Sequence, residues 1–420
     1  MASFHGVTIH HLELQQINNY KFLHKQNFIV FWWNKIPLGH LWLIAEKELT
    51  LQEIRNKVIT CIAPAVKYYF EKSGANVENW KGYLQNGDMD ALSAFLNRCI
   101  KFPELNNSEA ALLNEVTVII CTRNRSESLR NCIKSLLNSS DPNFELIVID
   151  NAPVDDSTKD VVHSFRSVRY IREDRKGLDI ARNTGALNAS HNIVAYTDDD
   201  VLVSKDWIKT LKYCFQDPLV HCVTGQVFPY SLSTEAQYIF EKYWGFNKGY
   251  IPLLYDQQYF NHYCKEGVPV WEIGAGANMA FRKEIFDQVG LFDERLDVGA
   301  AGCSGDSELW YRILAGRLNC RYYPHLFVYH NHRETKKELQ KQLFNYMRGY
   351  VAALLVQYEK FHHKGNLVRL YKTTPKWYLH RFKQALKGRK EGFLFYEIKG
   401  YLSGWRFYQS NKKPNLKRGE

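Results

Sequence analysis

The sequence predicts an α/β fold: a mostly parallel sheet flanked by helices. Three features carry that expectation. Short apolar runs, VTVII (116–120), FELIVID (144–150), VRYIRED (168–174) and NIVAYTDDD (192–200), alternate with stretches of helical periodicity, as repeated strand–helix units do. VTVII and the LIVI of the second run are apolar at consecutive rather than alternate positions, as expected of parallel strands buried on both faces. Two runs end in carboxylates, Asp150 and the triple Asp198, Asp199 and Asp200. Ligands of open α/β sheets bind beyond the carboxyl ends of the strands.

Three regions follow one another. Residues 1–112 read as a small α+β domain. Phe28 to Trp33 and His40 to Ile44 are aromatic and apolar runs joined by NKIPLG, a hairpin or two neighbouring strands. Leu51, Ile54, Val58, Ile59 and Ile62 then recur at helical spacing. Residues 113–335 hold the sheet. After VTVII and the loop CTRNR comes a helix with Leu129, Cys132, Ile133, Leu136 and Leu137 on one face. GLDIARNTGAL (177–187) is a further helical stretch, and GAAGCSGDSELWYRIL (299–314) is a glycine-rich loop leading into a helix. Residues 336–420 begin with a long helix carrying Leu339, Leu343, Tyr346, Met347, Tyr350, Leu354 and Leu355. Basic residues interleaved with Trp377, Tyr378, Phe382, Phe393, Phe395 and Trp405 follow.

A chain of 420 residues, 45% hydrophobic and 14% aromatic, builds a sizeable core and is neither disordered nor fibrous. Its nine cysteines form no Cys-x-x-Cys pair, which reads as reduced thiols rather than a zinc site or a disulfide framework. MASFHGVTIHHLELQQ lacks a basic start followed by an apolar run, so no signal peptide is expected. No apolar stretch reaches the roughly 18 residues of a membrane span. The net charge of +11 is unevenly placed: Lys360 to Glu420 holds 16 Lys and Arg against three Glu, leaving −2 for the rest. A basic, aromatic tail suits an anionic membrane interface. The expectation is therefore a cytoplasmic protein, peripheral at the inner face of the membrane, with no nucleic-acid partner.

Three adjacent carboxylates at a strand end repel one another unless a cation neutralises them. A hard divalent ion, Mg²⁺ or Mn²⁺, suits oxygen ligands and would bridge a diphosphate; a solvated acidic turn is the competing reading. Asp150 is either a turn-former or a hydrogen-bond acceptor for a base or ribose. Arg123 and Arg125 stand beside a helix start, where phosphate binds well. EIGAGANMAF (272–281) is glycine-rich but lacks the spacing and position of a dinucleotide loop. Asp306, at the loop–helix junction, is either a helix N-cap or a general base. His330 and His332 share a face if the strand continues, and either suits a metal otherwise held by carboxylates.

Taken together, VIICTRNR, VIDNA, GLDIARNTGAL, AYTDDDV, GAGANMAF, FDERLDVGAAGCSGDSELWYRIL and VYHNHR resemble, in order, the motifs of glycosyltransferase family 2, over about 114–335. The resemblance implies the GT-A (Rossmann-like) fold and a nucleotide-sugar donor, UDP favoured, with Mn²⁺ or Mg²⁺ as cofactor. It implies that Thr122, Arg123, Arg125 and Asp150 hold the nucleoside diphosphate, with Gly177 and Arg182 over it. Asp198 and Asp199 then contact the donor, Asp200 is the direct metal ligand with Asp198 and His330 beside it, and Gly274 and Gly276 flank the sugar. Asp306 matches the catalytic base of an inverting transfer to a glycan or lipid-linked hydroxyl acceptor, in cell-surface polysaccharide, glycolipid or glycan synthesis. Gly305 stands where many relatives have Glu. The Gln-x-x-Arg-Trp motif of processive members is absent, which implies one sugar per encounter. The alternatives are a sugar-nucleotide pyrophosphorylase, disfavoured because CTRNR replaces a glycine-rich loop with Lys, and a non-catalytic nucleotide-sugar or carbohydrate-binding protein.

Overall fold

Three strands form a first, small sheet in a computed structural model that describes residues 4–20, 26–44, 49–74, 79–101, 115–387 and 393–412. β1 (Thr8–Glu13) runs parallel to β2 (Gln26–Trp33), and β2 pairs antiparallel with β3 (Ile36–Ile44). The hairpin turn is shorter than NKIPLG: only Asn34 and Lys35, at φ 45° and 70°, lie between the strands. Two left-handed residues match the twist of the flanking strands. β1, with His10, His11 and Glu13, has no apolar run to signal it. β2 is buried on both faces, which explains its unbroken FIVFWW. Ile29, Phe31 and Trp33 pack under the helix Leu51–Ser73. Phe28, Val30 and Trp32 pack on Phe228 and Leu232 of the next region.

The main sheet has nine strands. β4 (Val116–Thr122), β5 (Glu145–Asn151), β6 (Val168–Glu173) and β7 (Ile193–Asp198) are mutually parallel in the order β7-β4-β5-β6. Beyond β7 the sheet is mixed. β8 (Val201–Val203), β9 (Cys222–Pro229), β10 (Leu253–Tyr255), β11 (Asn278–Arg282) and β12 (Cys320–His330) complete it. β11 lies antiparallel to both β7 and β9, and β12 lies parallel to β9. Two reversals restore direction, so β12 ends at the same edge of the sheet as β4, β5 and β7. Helices cover both faces. Val116, Val118 and Ile120 of β4 face the helices Ser126–Leu137 and Trp207–Cys214, while Ile119 faces Leu178–Asn188 and Gly305–Ala315.

The helix Lys336–Phe361 crosses the loop ahead of Gly305. A side chain at Gly349 would collide with the backbone of Cys303, so this crossing requires glycine. Arg348 donates to the carbonyl of Ala300 at 2.9 Å. Helices Thr374–Leu386 and Leu394–Asn411 follow. Of the basic tail residues, Arg389, Lys390, Lys413, Lys417 and Arg418 lie outside the described residues. The nine cysteines form no disulfide, and among the described residues no helix is long and apolar enough to cross a membrane.

A buried ion network ties the helix Gly305–Ala315 to its surroundings. Glu308, fully buried, accepts from Arg312 at 2.9 Å and from Lys360 at 2.9 Å. Arg312 also donates to the carbonyls of Gly290 at 2.7 Å and Leu291 at 2.8 Å. Removing one partner of such a pair strands a charge in low dielectric. Arg312→Met should destabilise the fold by about 3 kcal/mol, read as a lowered denaturant midpoint. Glu308→Leu added to it should recover part of the loss; a double variant no better than the single one would show that the carbonyl contacts, not the charge, matter.

Candidate active site

The carboxyl ends of β4, β5, β7 and β12 converge on a cavity of about 290 Å³. Asp198 ends β7, Asp199 and Asp200 make the turn, and β8 follows at once. β8 pairs with the end of β12, Val201 opposite His330, and the Asn331 amide donates to the Asp200 carbonyl at 3.1 Å. This short pairing brings Asp198, Asp200 and His330 together, with one ligand atom from each within 4.8 Å of the others.

Charge dictates the rest of the cluster. Asp199 is buried and accepts from the Thr122 hydroxyl at 2.7 Å and from Arg125 at 2.7 Å. Arg125 also donates to Asp200 at 2.9 Å, and Arg333 approaches Asp200 at 3.5 Å. Burial, with repulsion from Asp200, pushes the Asp198 carboxyl up to about 7. Burial acts on Asp200 in the same sense, yet His330, Arg125 and Arg333 hold it below the ordinary carboxylate range. Burial lowers His330 to about 4, which leaves the ring neutral near pH 7.

Two residues stand behind His330: His332, which the sequence offered as a metal ligand in its own right, and Glu241, which nothing in the sequence signalled. The His330 Nδ1 lies 3.0 Å from the His332 Nδ1, and the His332 Nε2 lies 2.9 Å from Glu241. In the tautomer pair that lets Glu241 accept from His332 Nε2–H, the His332 Nδ1 accepts from His330 Nδ1–H. That leaves the His330 Nε2 bare, 3.4 Å from Asp200. Outer-shell chains of this kind fix a ligand's tautomer and orientation. Two carboxylates and a bare imidazole nitrogen fit Mn²⁺ or Mg²⁺.

The other expected residues divide. Arg123, Arg125, Gly177 and Thr122 line the cavity with the three aspartates. Arg125 uses its guanidinium on Asp199 and Asp200, and Arg123 donates to the Ala152 carbonyl at 3.2 Å. Asp150 is wholly buried and accepts from the Tyr170 hydroxyl at 2.9 Å; its neighbour Asn151 lines the cavity instead. Strand alternation sends the two to opposite sides. Asn151 accepts from the Gly177 amide at 2.9 Å and donates to the Arg175 carbonyl at 2.7 Å, pinning the loop over the cavity. Arg182 does not reach the cavity: it is buried, donating to Asp179 at 3.0 Å and Asp297 at 2.7 Å. Gly274 packs on the Thr224 side chain, and Gly276 lies against both Arg182 and Asp306.

Asp306 sits in the first turn of its helix, and Ser304 holds the N-cap position, so Asp306 is not the cap. Its carboxylate accepts from the Ser307 amide at 2.6 Å. Burial, reinforced by Asp297 and opposed by Arg182, raises its pKa. It is absent from the cavity lining, where Val298 and Gly299 of the preceding loop stand. That loop holds four left-handed residues, Asp297, Gly299, Gly302 and Ser304. A side chain at Gly305 would run into the carboxylate of Asp179, which accounts for glycine there.

The outer-shell chain is testable without substrate. His332→Leu should weaken Mn²⁺ binding by roughly 10–100-fold, measured by calorimetry. Unchanged affinity in a folded variant would remove His330 from the ligand set.

Residues 117–290 match the family model for glycosyl transferase family 2. A pre-mycofactocin glycosyltransferase of Mycobacterium tuberculosis is 27% identical over 228 residues, 53% of this chain and 44% of that protein. The glycosyltransferase GlyA of Streptococcus pneumoniae is 24% identical over 197 residues, 46% of this chain and 27% of that protein. The chain thus spans less than half the length of these two curated relatives. A mannosyltransferase of Pyrobaculum calidifontis, solved with GDP-Man and Mn²⁺, is 14% identical with a TM-score of 0.46, over 87% of this chain and 100% of that one. The stretch that matches glycosyl transferase family 2, residues 117–290, is the one that carries Asp198, Asp199 and Asp200.

Proposed function

We propose that this protein transfers a sugar from a nucleoside diphosphate sugar to an acceptor hydroxyl, one residue per encounter and with inversion. What supports the reading is the convergence of Asp198, Asp200 and His330 at the carboxyl ends of the strands, against a family 2 domain. A divalent cation bound there would supply charge neutralisation for the departing diphosphate. The basic side chains Arg123 and Lys176, both on the cavity wall, stand ready for phosphate oxygens. Asn151 and Gly177 shape the wall on the nucleoside side.

On this reading Asp306 serves as general base on the far side of the loop from the donor cavity. The acceptor oxygen bonds to the anomeric carbon as the bond from that carbon to the diphosphate oxygen breaks. The acceptor proton goes to the Asp306 carboxylate, and the nucleoside diphosphate leaves. Arg182, fixed by Asp179 and Asp297, positions the Gly276 segment beside the base. Orientation and preorganised charge carry most of the acceleration. A donor panel of UDP-, GDP- and dTDP-sugars, read as nucleotide release with Mn²⁺ and with EDTA, tests the class and names the donor. UDP-sugars come first, and the acceptor arm covers glycans and lipid-linked hydroxyls. Release that is equal with EDTA, or absent with every donor and acceptor, would overturn the reading.

The base assignment has its own signature. Asp306→Asn should cut kcat by roughly 10²–10⁴-fold and leave donor affinity unchanged. A base works only when ionised, and the pKa of Asp306 is raised. Activity of the native protein should therefore fall on acidification at a pH above the ordinary carboxylate value of about 3.9. Near-native turnover in the variant would assign the proton elsewhere.

A further inference from the structure

We propose that the two C-terminal helices form a docking face for an anionic lipid bilayer, independent of the donor chemistry. On the helix Thr374–Leu386, Leu379, Phe382 and Leu386 are exposed and recur at i, i+3 and i+7, one stripe of the surface. Lys376, Lys383 and Lys387, also exposed, form the adjoining stripe. The opposite side of the same helix is the one that packs: Thr374 and Tyr378 are buried, and the Tyr378 ring meets Tyr401 with centroids 5.9 Å apart.

The helix Leu394–Asn411 repeats the pattern. Phe395 and Leu402 are exposed at i and i+7, with Trp405 beside them and Lys399 and Arg406 interleaved. Gly400, Gly404 and Tyr408 bury the other side. Leu386 and Phe395 are 74% and 70% exposed, and large apolar side chains left this exposed mark an interaction surface.

Charge selects the occupant. Between residues 362 and 412 the only acidic residues are Glu391 and Glu397. Glu397 is buried and holds Arg381 at 2.6 Å, joining the two helices. The outward stripes therefore set apolar and aromatic side chains among lysines that form no ion pair with the described residues, the composition of a helix lying in the headgroup region of an anionic membrane. No described helix is long and apolar enough to cross a membrane, so the face rests on the surface. The helix Lys336–Phe361 packs on Leu394–Asn411 and holds the loop before Asp306 through Arg348. The docked face is thus connected through this helix to the loop that precedes Asp306.

Cosedimentation of the full chain with phosphatidylcholine vesicles, with and without phosphatidylglycerol, tests this. Binding should need the anionic lipid and weaken with salt. Phe382→Ser with Leu386→Ser should lower partition roughly tenfold, and Lys376→Gln, Lys383→Gln and Lys387→Gln together should lower it by more, each basic residue being worth about fivefold. All five positions are exposed, so the thermal midpoint should not move. No binding to anionic vesicles, or binding by both variants as strong as that of the unaltered chain, would overturn the proposal. So would light scattering that shows a lipid-free dimer lost on Phe382→Ser and Leu386→Ser, which would make the face a contact between two copies.

Discussion

The crowding of carboxylates at one edge of the main sheet is the constraint around which this molecule is arranged. Asp198, Asp199 and Asp200 follow one another on the chain, and Asp179, Asp297 and Asp306 gather a short way behind them. Burial makes each unneutralised charge costly. Arg125 and Arg333 answer Asp199 and Asp200, while Arg182 answers Asp179 and Asp297. The aspartates outnumber these arginines, and burial together with that excess raises the pKa of Asp198. A divalent cation held by Asp198, Asp200 and His330 would relieve the same imbalance, so the cluster and the metal reading arise from one physical cause.

Topology makes the cluster possible. An all-parallel sheet would not bring a residue near position 330 to the end of β7 so directly. Here β11 reverses direction, β9 reverses it again, and β12 runs back to the edge where β4 and β7 end. The three-residue β8 then locks the aspartate turn to His330. The N-terminal sheet covers β9 and the end of β12 with aromatic packing around Trp32, Phe228 and Phe327, which keeps that strand in place. The C-terminal helices do the same for the loop before Asp306. Both flanking regions thus bear on the site they do not contribute to.

Much of this was legible in the sequence because it is local. VTVII, LIVI and IVAYT are buried strands, the helices follow from 3.6-residue periodicity, and the aspartates fall where strands end. The parts that were not legible depend on pairing. β9 and β11 interleave polar residues with apolar ones, because Gln226 and Asn278 are buried in hydrogen bonds that only the assembled sheet provides. Asp150 and Asn151 are neighbours in the chain, yet strand alternation hides the first and exposes the second to the cavity. The family resemblance sets Arg182 over the nucleotide, but two buried carboxylates claim it first.

The sequence by itself determined the α/β class, the strand that delivers Asp198 to Asp200, the helix that begins beside Asp306, and the basic aromatic tail, since each follows from spacing within one segment. Only the tertiary structure decided that His330 meets Asp200, that Glu241 and His332 stand behind it, that Asp179 occupies the space over Gly305, and which tail side chains face outward. Those outcomes depend on contacts between residues tens to hundreds of positions apart, and no periodicity within one segment encodes the partner a side chain meets across the fold.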